Sequence, residues 1–209
     1  MYSHLTGFIL AGGKSKRMGT NKSLLKIGEL TIIERVVNLM KELFKEVILI
    51  TNQSEEFSFL KLPMQEDIHK NTGPLAGIHS ALVRTTTDKN FIISCDMPLM
   101  TSGVIKYLIE YPTDKLITIA KADNFIQQLC GVYSQSLVPY IENIIEMNNG
   151  GGDARNPDQI KRGCSVLELV KNVSAEIIDI EKEYLDYRPG TFYNMNRPEE
   201  YNYIKDILF

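Results

Sequence analysis

Residues 10–22, LAGGKSKRMGTNK, carry the densest chemistry in the chain. Five cations and no acid fall between Lys14 and Lys26, and Gly12-Gly13 stand at the exit of the apolar run Thr6–Ala11. Glycines there remove the Cβ atoms that would keep a phosphate away from backbone N–H groups, and the Lys and Arg beside them supply point-charge and bidentate contacts. A solvated basic loop would explain the charges but not the paired glycines, so the segment reads as phosphate-binding. Two better-known phosphate loops are excluded. Gly13-Lys14-Ser15 ends like a P-loop, but the glycine required five positions earlier is Phe8, with Gly7 one residue out of register. The dinucleotide fingerprint GxGxxG is absent as well.

Asp96 is the second chemical candidate. It follows the apolar run Phe91–Cys95 and precedes Met97-Pro98. In an open parallel sheet ligands bind beyond the carboxyl ends of strands, and a carboxylate there, beside a polyphosphate loop, is placed to hold Mg²⁺. A turn or helix-cap aspartate is the plainer alternative. A third segment, Gly73-Pro74-Leu75-Ala76-Gly77-Ile78, turns into a helix, and its glycines permit close approach of backbone to a ligand or simply start the helix. Cys95 is expected to point to the opposite strand face and to pack. The three cysteines, Cys95, Cys130 and Cys164, lie more than thirty residues apart, which excludes CxxC pairs and fits a reducing compartment. His4, His69 and His79 lack metal-ligand spacing and read as surface or helix residues.

These residues need a frame. Short apolar runs (Thr6–Ala11, Val47–Thr51, Leu62–Gln65, Phe91–Cys95, Leu116–Lys121) alternate with amphipathic stretches (Thr31–Phe44, Leu75–Arg84, Ser102–Tyr111). That alternation predicts βαβ units on a mostly parallel sheet with helices on both faces. The second half changes rhythm. Leu129–Tyr133 follows the preceding strand after a turn at Ala122–Phe125 and is expected to pair with it antiparallel. A helix over Leu137–Met147 then runs into Asn148–Gly163, read as a mobile surface loop because of its three consecutive glycines and Pro157. A short helix near Val166–Lys171, strands at Glu176–Ile180 and Phe192–Met195, and a closing helix from Pro198 complete the expectation.

The whole is bounded by composition. At 209 residues, 44% hydrophobic and 23% charged, the chain is long enough for a single large α/β domain with its own core. Apolar runs fall far short of the about 18 residues of a membrane span. A net charge of −3 offers nothing general to nucleic acid or an anionic membrane, so any anion site is local. A soluble cytoplasmic protein is the expectation.

LAGGKSKRMGTNK at 10–22, GPLAGI at 73–78, CDMP at 95–98 and NMNRPEE at 194–200, in that order, resemble the bacterial molybdenum cofactor guanylyltransferases, also called the molybdopterin-guanine dinucleotide synthesis protein A family. The likeness spans nearly the full chain. It implies a nucleotide-diphospho-sugar-transferase-like domain over 1–209, with a nucleotide-binding half at about 1–100 and an acceptor-binding half at about 101–209. It implies GMP transfer from GTP to the terminal phosphate of molybdopterin, with pyrophosphate released, Mg²⁺ as cofactor, and room for transient contacts with other cofactor-biosynthesis proteins.

Position by position, it makes Leu10, Ala11, Gly12 and Gly13 the nucleotide loop, Lys22 a phosphate-binding lysine, and Asn52, Asp67 and Gly77 further nucleotide contacts. Asp96 becomes the magnesium ligand, Arg17 a phosphate-side catalytic cation, and Asn194 and Asn196 acceptor-side residues. The chain departs from the pattern at Gln127-Gln128-Leu129, where relatives often carry a proline, and in the length of the 148–163 loop. Related cytidylyltransferases carry LAAG where this chain has LAGG, which favours GTP. The alternatives are a cytidylyl- or sugar-phosphate nucleotidyltransferase on the same scaffold, or a non-catalytic nucleotide-binding module in cofactor delivery.

Overall fold

The structure is a computed structural model that describes residues 1–12, 21–70, 72–150 and 165–194 together with Ile204. Strand β1, Tyr2–Leu10, is apolar through its second half because both of its faces are covered. Phe8 and Leu10 join a core on one side of the sheet, and Ile9 joins a core on the other. A small hairpin follows, β2 (Lys26–Ile27) with β3 (Leu30–Thr31), turned at Gly28, where φ is +68°. Helix α1, Ile32–Leu43, begins at a capping box that Thr31-x-x-Glu34 spells out. Glu34 N–H donates to Thr31 Oγ1 at 3.2 Å, and Thr31 N–H donates back to Glu34 Oε2 at 2.7 Å. Its Ile33, Val36, Val37, Met40 and Leu43 are buried.

The remaining described elements are β4 (Phe44–Ile50), β5 (Met64–Gln65), α2 (Pro74–Arg84), β6 (Lys89–Ser94), α3 (Ser102–Glu110), β7 (Ile117–Ala122), β8 (Phe125–Ser134), α4 (Val138–Gly150), α5 (Val166–Asn172), β9 (Ala175–Asp179) and α6 (Ile180–Glu183). Seven strands form one sheet in the order β5-β4-β1-β6-β8-β7-β9. Among these described strands only β8 runs against the others, pairing antiparallel with both β6 and β7. Helices α1 and α3 cover one face and α2, α4 and α5 the other, giving a three-layer α/β/α domain. The chain leaves β1 toward β4 on one side and later returns to β6 on the other. The strand order therefore reverses at β1, and the crevice above the carboxyl ends of β1 and β6 is where such sheets take ligands. The expected single domain with a mostly parallel sheet is what forms, including the antiparallel β7–β8 hairpin.

Three expectations need correction. The predicted strand Phe192–Met195 does not form over Phe192–Asn194. Tyr193 N–H bonds Gly190 C=O at 2.9 Å and Thr191 N–H bonds Arg188 C=O at 3.2 Å, so successive turns consume groups a strand would offer to a neighbour. The predicted 148–163 loop starts too early, because α4 continues to Gly150 and Asn148 Nδ2 donates back to Ile144 C=O at 2.8 Å. Strand β9 stops at Asp179, and Ile180 opens the short helix α6 instead. The rest of that loop, residues 151–163, lies outside the described residues, as do Met195 and the predicted helix start at Pro198.

Candidate functional site

Leu10 is the last residue of β1, and backbone hydrogen bonds clamp the exit on both sides. Ala11 N–H donates to Ile50 C=O at 2.9 Å, and Cys95 N–H donates to Leu10 C=O at 3.1 Å. Gly12 follows, exposed at the crevice, with open space where a Cβ would stand. Gly13 and Arg17 lie outside the described residues. Across the crevice, Asp96 sits in the turn after β6 and receives the Ser94 hydroxyl on Oδ1. Burial pushes its carboxyl above the ordinary carboxylate range, while the Ser94 hydrogen bond and the positive charge of Lys22 oppose that shift. Lys22 opens a short 3₁₀ turn, Lys22–Leu24, and so acts electrostatically on Asp96 from a segment distant in sequence. The structure thus brings together the two residues expected to serve phosphate chemistry. Cys95 packs against the core, and burial pushes its thiol well up, leaving it a packing residue and not a thiolate.

At the other end of the same sheet edge, Asn52 and Asp67 close on each other. Asn52 Nδ2 donates to Asp67 Oδ2 at 2.7 Å, and Asp67 N–H donates to Asn52 Oδ1 at 3.1 Å. Burial raises the Asp67 carboxyl, against the lowering effect of Asn52. The Asp67 loop is strapped to α2, since Ile68 N–H donates to Ser80 Oγ at 2.8 Å and Arg84 to Glu66 C=O at 2.7 Å. Gly73, at φ +85°, lets the chain turn into α2. Gly77 is inside that helix, where a Cβ would come within 3.3 Å of Leu10 and 3.6 Å of Asp67. Its glycine lets the helix approach the β1 exit and the Asp67 carboxylate together.

Because β8 alone among the described strands is reversed, its first residues lie at the edge where the other strands end. There Met97, Asp123, Phe125–Leu129, Pro189, Gly190 and Phe192–Asn194 surround a cleft of about 620 Å³ whose lining begins one residue past Asp96. Phe125 is 71% exposed at the hairpin tip. Gln128 Oε1 and Asn194 Oδ1 are buried and have no hydrogen-bond partner among the described residues, although both side chains belong to this cleft. A buried acceptor left unpaired costs about 1–3 kcal/mol. Asn194, expected on the acceptor side, lines this cleft, while Asn196 lies outside the described residues. Sequence reasoning did not single out Gln128 as a site residue, and its one trace there was the glutamine pair at a position of departure from the family pattern. Among the described residues no group of three His, Cys, Asp or Glu side chains could hold a metal, so Asp96 stands as a single carboxylate. No helix among them is long and apolar enough to cross a membrane.

The fold, with its ligand crevice at a strand-order reversal, is shared with a solved molybdopterin-guanine dinucleotide biosynthesis protein A from Archaeoglobus fulgidus, at TM-score 0.78 and 21% identity over 98% of each chain. A family model described as the MobA-like NTP transferase domain matches residues 7–159. The protein is therefore an enzyme of the nucleotidyltransferase class. A probable molybdenum cofactor guanylyltransferase of Carboxydothermus hydrogenoformans is 34% identical over 98% of this chain and 97% of its own length. One of Clostridium perfringens is 36% identical over 92% of each. The chain belongs to the molybdenum cofactor guanylyltransferase family.

Proposed function

We propose that the protein transfers GMP from GTP to the terminal phosphate of molybdopterin, releasing pyrophosphate, in the cytoplasm. The observation that carries this reading is the coupling of Lys22 to the half-buried Asp96, whose chain neighbour Met97 lines a cleft of about 620 Å³, the size of a small-molecule site. The names of relatives matched over most of their length support it. Residues up to about 100 then hold the nucleotide, and the later half holds the acceptor along the cleft.

In this reaction an acceptor phosphate oxygen attacks the α-phosphorus in line. A new P–O bond forms there as the bond to the β-phosphate oxygen breaks. The nucleophile is already anionic near neutral pH, so no general base is needed. The obstacle is repulsion between anions, and catalysis then rests on positioning and electrostatics. Lys22 places positive charge at the α-phosphate, and the amides of Gly12 and Gly13 with Arg17 receive the departing pyrophosphate. Asn52 and Asp67 hold the nucleoside end. A magnesium ion is commonly bound through one or two carboxylates plus substrate phosphates, so a lone Asp96 fits it without a protein cage. Bound there, it would supply Lewis-acid neutralisation of phosphate charge.

Guanine presents N1–H and N2–H₂ as neighbouring donors, which suits fixed acceptors such as the Asp67 carboxylate or backbone carbonyls of the crevice. The test is incubation with GTP, Mg²⁺ and molybdopterin, followed by assay of pyrophosphate and of the dinucleotide product. Turnover with GTP, and kcat/KM at least tenfold above that for CTP, is expected. A ratio within about tenfold, a gap of ~1.4 kcal/mol, would sink guanine selection and promote the cytidylyl alternative.

A further inference from the structure

Lys22 can act on a phosphate only if its backbone is fixed, and a three-residue 3₁₀ turn has little stability of its own. Two contacts hold it. On one side Ser23 is buried next to the Cys95 thiol, whose neighbour is Asp96, and acts on that thiol against the upward push of burial. On the other, Asn21 joins two segments. Its Oδ1 caps the turn, accepting from Ser23 N–H at 3.2 Å and from Ser23 Oγ at 2.8 Å, while its Nδ2 donates to Glu56 Oε2 at 3.0 Å. Glu56 is itself rigidly held. It lies in a run of tight turns after β4, with Glu56 N–H on Gln53 C=O at 3.1 Å and Phe57 N–H on Ser54 C=O at 3.3 Å. The next residue, Phe57, is sunk in the core at 1% exposure. The same segment begins at Asn52, the partner of Asp67.

We infer that Glu56 is a positioning residue, which docks the Lys22 turn through Asn21 onto the segment carrying Asn52, so that one rigid piece of chain sets the spacing between the phosphate and nucleoside ends of the site. A carboxylate near a polyphosphate works against binding by simple Coulomb repulsion. Its presence beside the cationic loop is accounted for by this structural task. The inference rests on the proposed role of Lys22.

A polarity swap tests it. N21D keeps an acceptor for Ser23 but sets two carboxylates against each other. N21D/E56Q reverses the donor and acceptor, so that the amide introduced at position 56 donates to the carboxylate introduced at position 21. Binding of each of the four nucleoside triphosphates with Mg²⁺ is measured by titration calorimetry, which needs no acceptor, and turnover and thermal unfolding are followed alongside. Because positions 21 and 56 are hydrogen-bonded neighbours, their effects should be non-additive: N21D is expected to weaken triphosphate binding about tenfold and the double variant to recover to within about threefold. Unfolding midpoints should stay close to wild type. Recovery by the swap, which a generally loosened loop would not give, supports the clamp, and a double variant no better than N21D overturns it. Lys22→Ala separates the two readings. If it abolishes turnover and the swap still fails, the clamp alone falls; if it leaves binding and turnover at wild-type levels, the role of Lys22 falls and the clamp with it.

Discussion

The two ends of the crevice differ in how far their side chains satisfy one another. At the nucleotide end most side chains answer one another: Asn52 and Asp67 exchange two hydrogen bonds, Ser94 donates to Asp96, and Asn21 bridges Ser23 and Glu56, with Gln65 Oε1 the one buried acceptor near Asp67 that has no partner among the described residues. Along the cleft, Gln128 Oε1 and Asn194 Oδ1 are buried with nothing to accept among the described residues, and Phe125 stands out into solvent. A site that completes its own hydrogen bonds is organised before its ligand arrives and loses little order on binding. A site with orphaned acceptors depends on the ligand to satisfy them and discriminates against molecules that lack the donors. The contrast suits a triphosphate gripped in one fixed pose and a second substrate admitted through an open cleft.

The largest expected effect breaks the nucleotide end. Asp96→Asn should lower turnover at least about 100-fold at saturating Mg²⁺, the scale on which a group facing developing charge matters. Stability should move the other way. An acid whose folded pKa is raised binds more protons folded than unfolded, so it lends stability below that window and loses it as pH rises through it. At pH 7 the half-buried carboxylate is a cost that asparagine removes, and the unfolding midpoint should be unchanged or higher. Near-wild-type turnover in this variant would remove Asp96 from the chemistry.

Asn52→Ala sharpens the comparison. It frees Asp67 without touching the cleft, so KM for the triphosphate should rise about tenfold, near the ~1.4 kcal/mol of one good hydrogen bond, with KM for the acceptor unmoved. An equal rise in both would mean that the ends are not separate. Gln128→Leu is the mirror experiment. Acceptor KM should rise about three- to tenfold, triphosphate KM should hold, and thermal stability should increase slightly because an unpaired buried oxygen is gone. A drop in stability would show that the glutamine is structurally satisfied and would take the ligand reading of the cleft away.

The smallest effect lies outside both ends, at the contact between α2 and α4. His79 is 2% exposed, 3.3 Å from Glu142 on α4, and its ring lies 4.9 Å from that of His69. Burial lowers its pKa below the ordinary 6.5, with His69 and Arg84 acting in the same direction and Glu142 against. The folded protein therefore binds fewer protons than the unfolded chain in the window beneath 6.5, and stability is lost as pH falls through it. His79→Gln should flatten that acid slope in chemical denaturation between about pH 7 and 5 and leave both KM values unchanged. An undiminished slope would assign the acid loss to other groups.

Much of the frame was legible in the sequence because its signals are local. Thr31-x-x-Glu34 is a capping box as written, the α1 periodicity names the residues that are buried, and the apolar runs of β1, β4 and β6 are strands covered on both faces, while the run at Leu62–Gln65 pairs only over Met64–Gln65 at the sheet edge. Asp96 at a strand end and Lys22 beyond a glycine pair were likewise visible as types in positions. Local signals also misled. The residues around Phe192 look like a strand, but Gly190, at φ +85°, and the turns at Arg188–Tyr193 claim the backbone first.

What the sequence by itself determined, then, is the order of elements, their buried faces, and the concentration of cations beside a glycine pair, since each depends on residues within a few positions of one another. Only the tertiary structure decided which side chains meet. Asn52 finds Asp67 fifteen residues away through the parallel register of β4 and β5. Asn21 finds Glu56 across thirty-five residues. Lys22 acts on Asp96 because β1 and β6 are neighbours, and Gln128 reaches the edge where the other strands end because β8 runs backwards against β6. Hydrogen bonds form over about 3 Å, and that proximity is fixed by sheet order and register, long-range outcomes of packing the whole core that no short stretch of sequence contains.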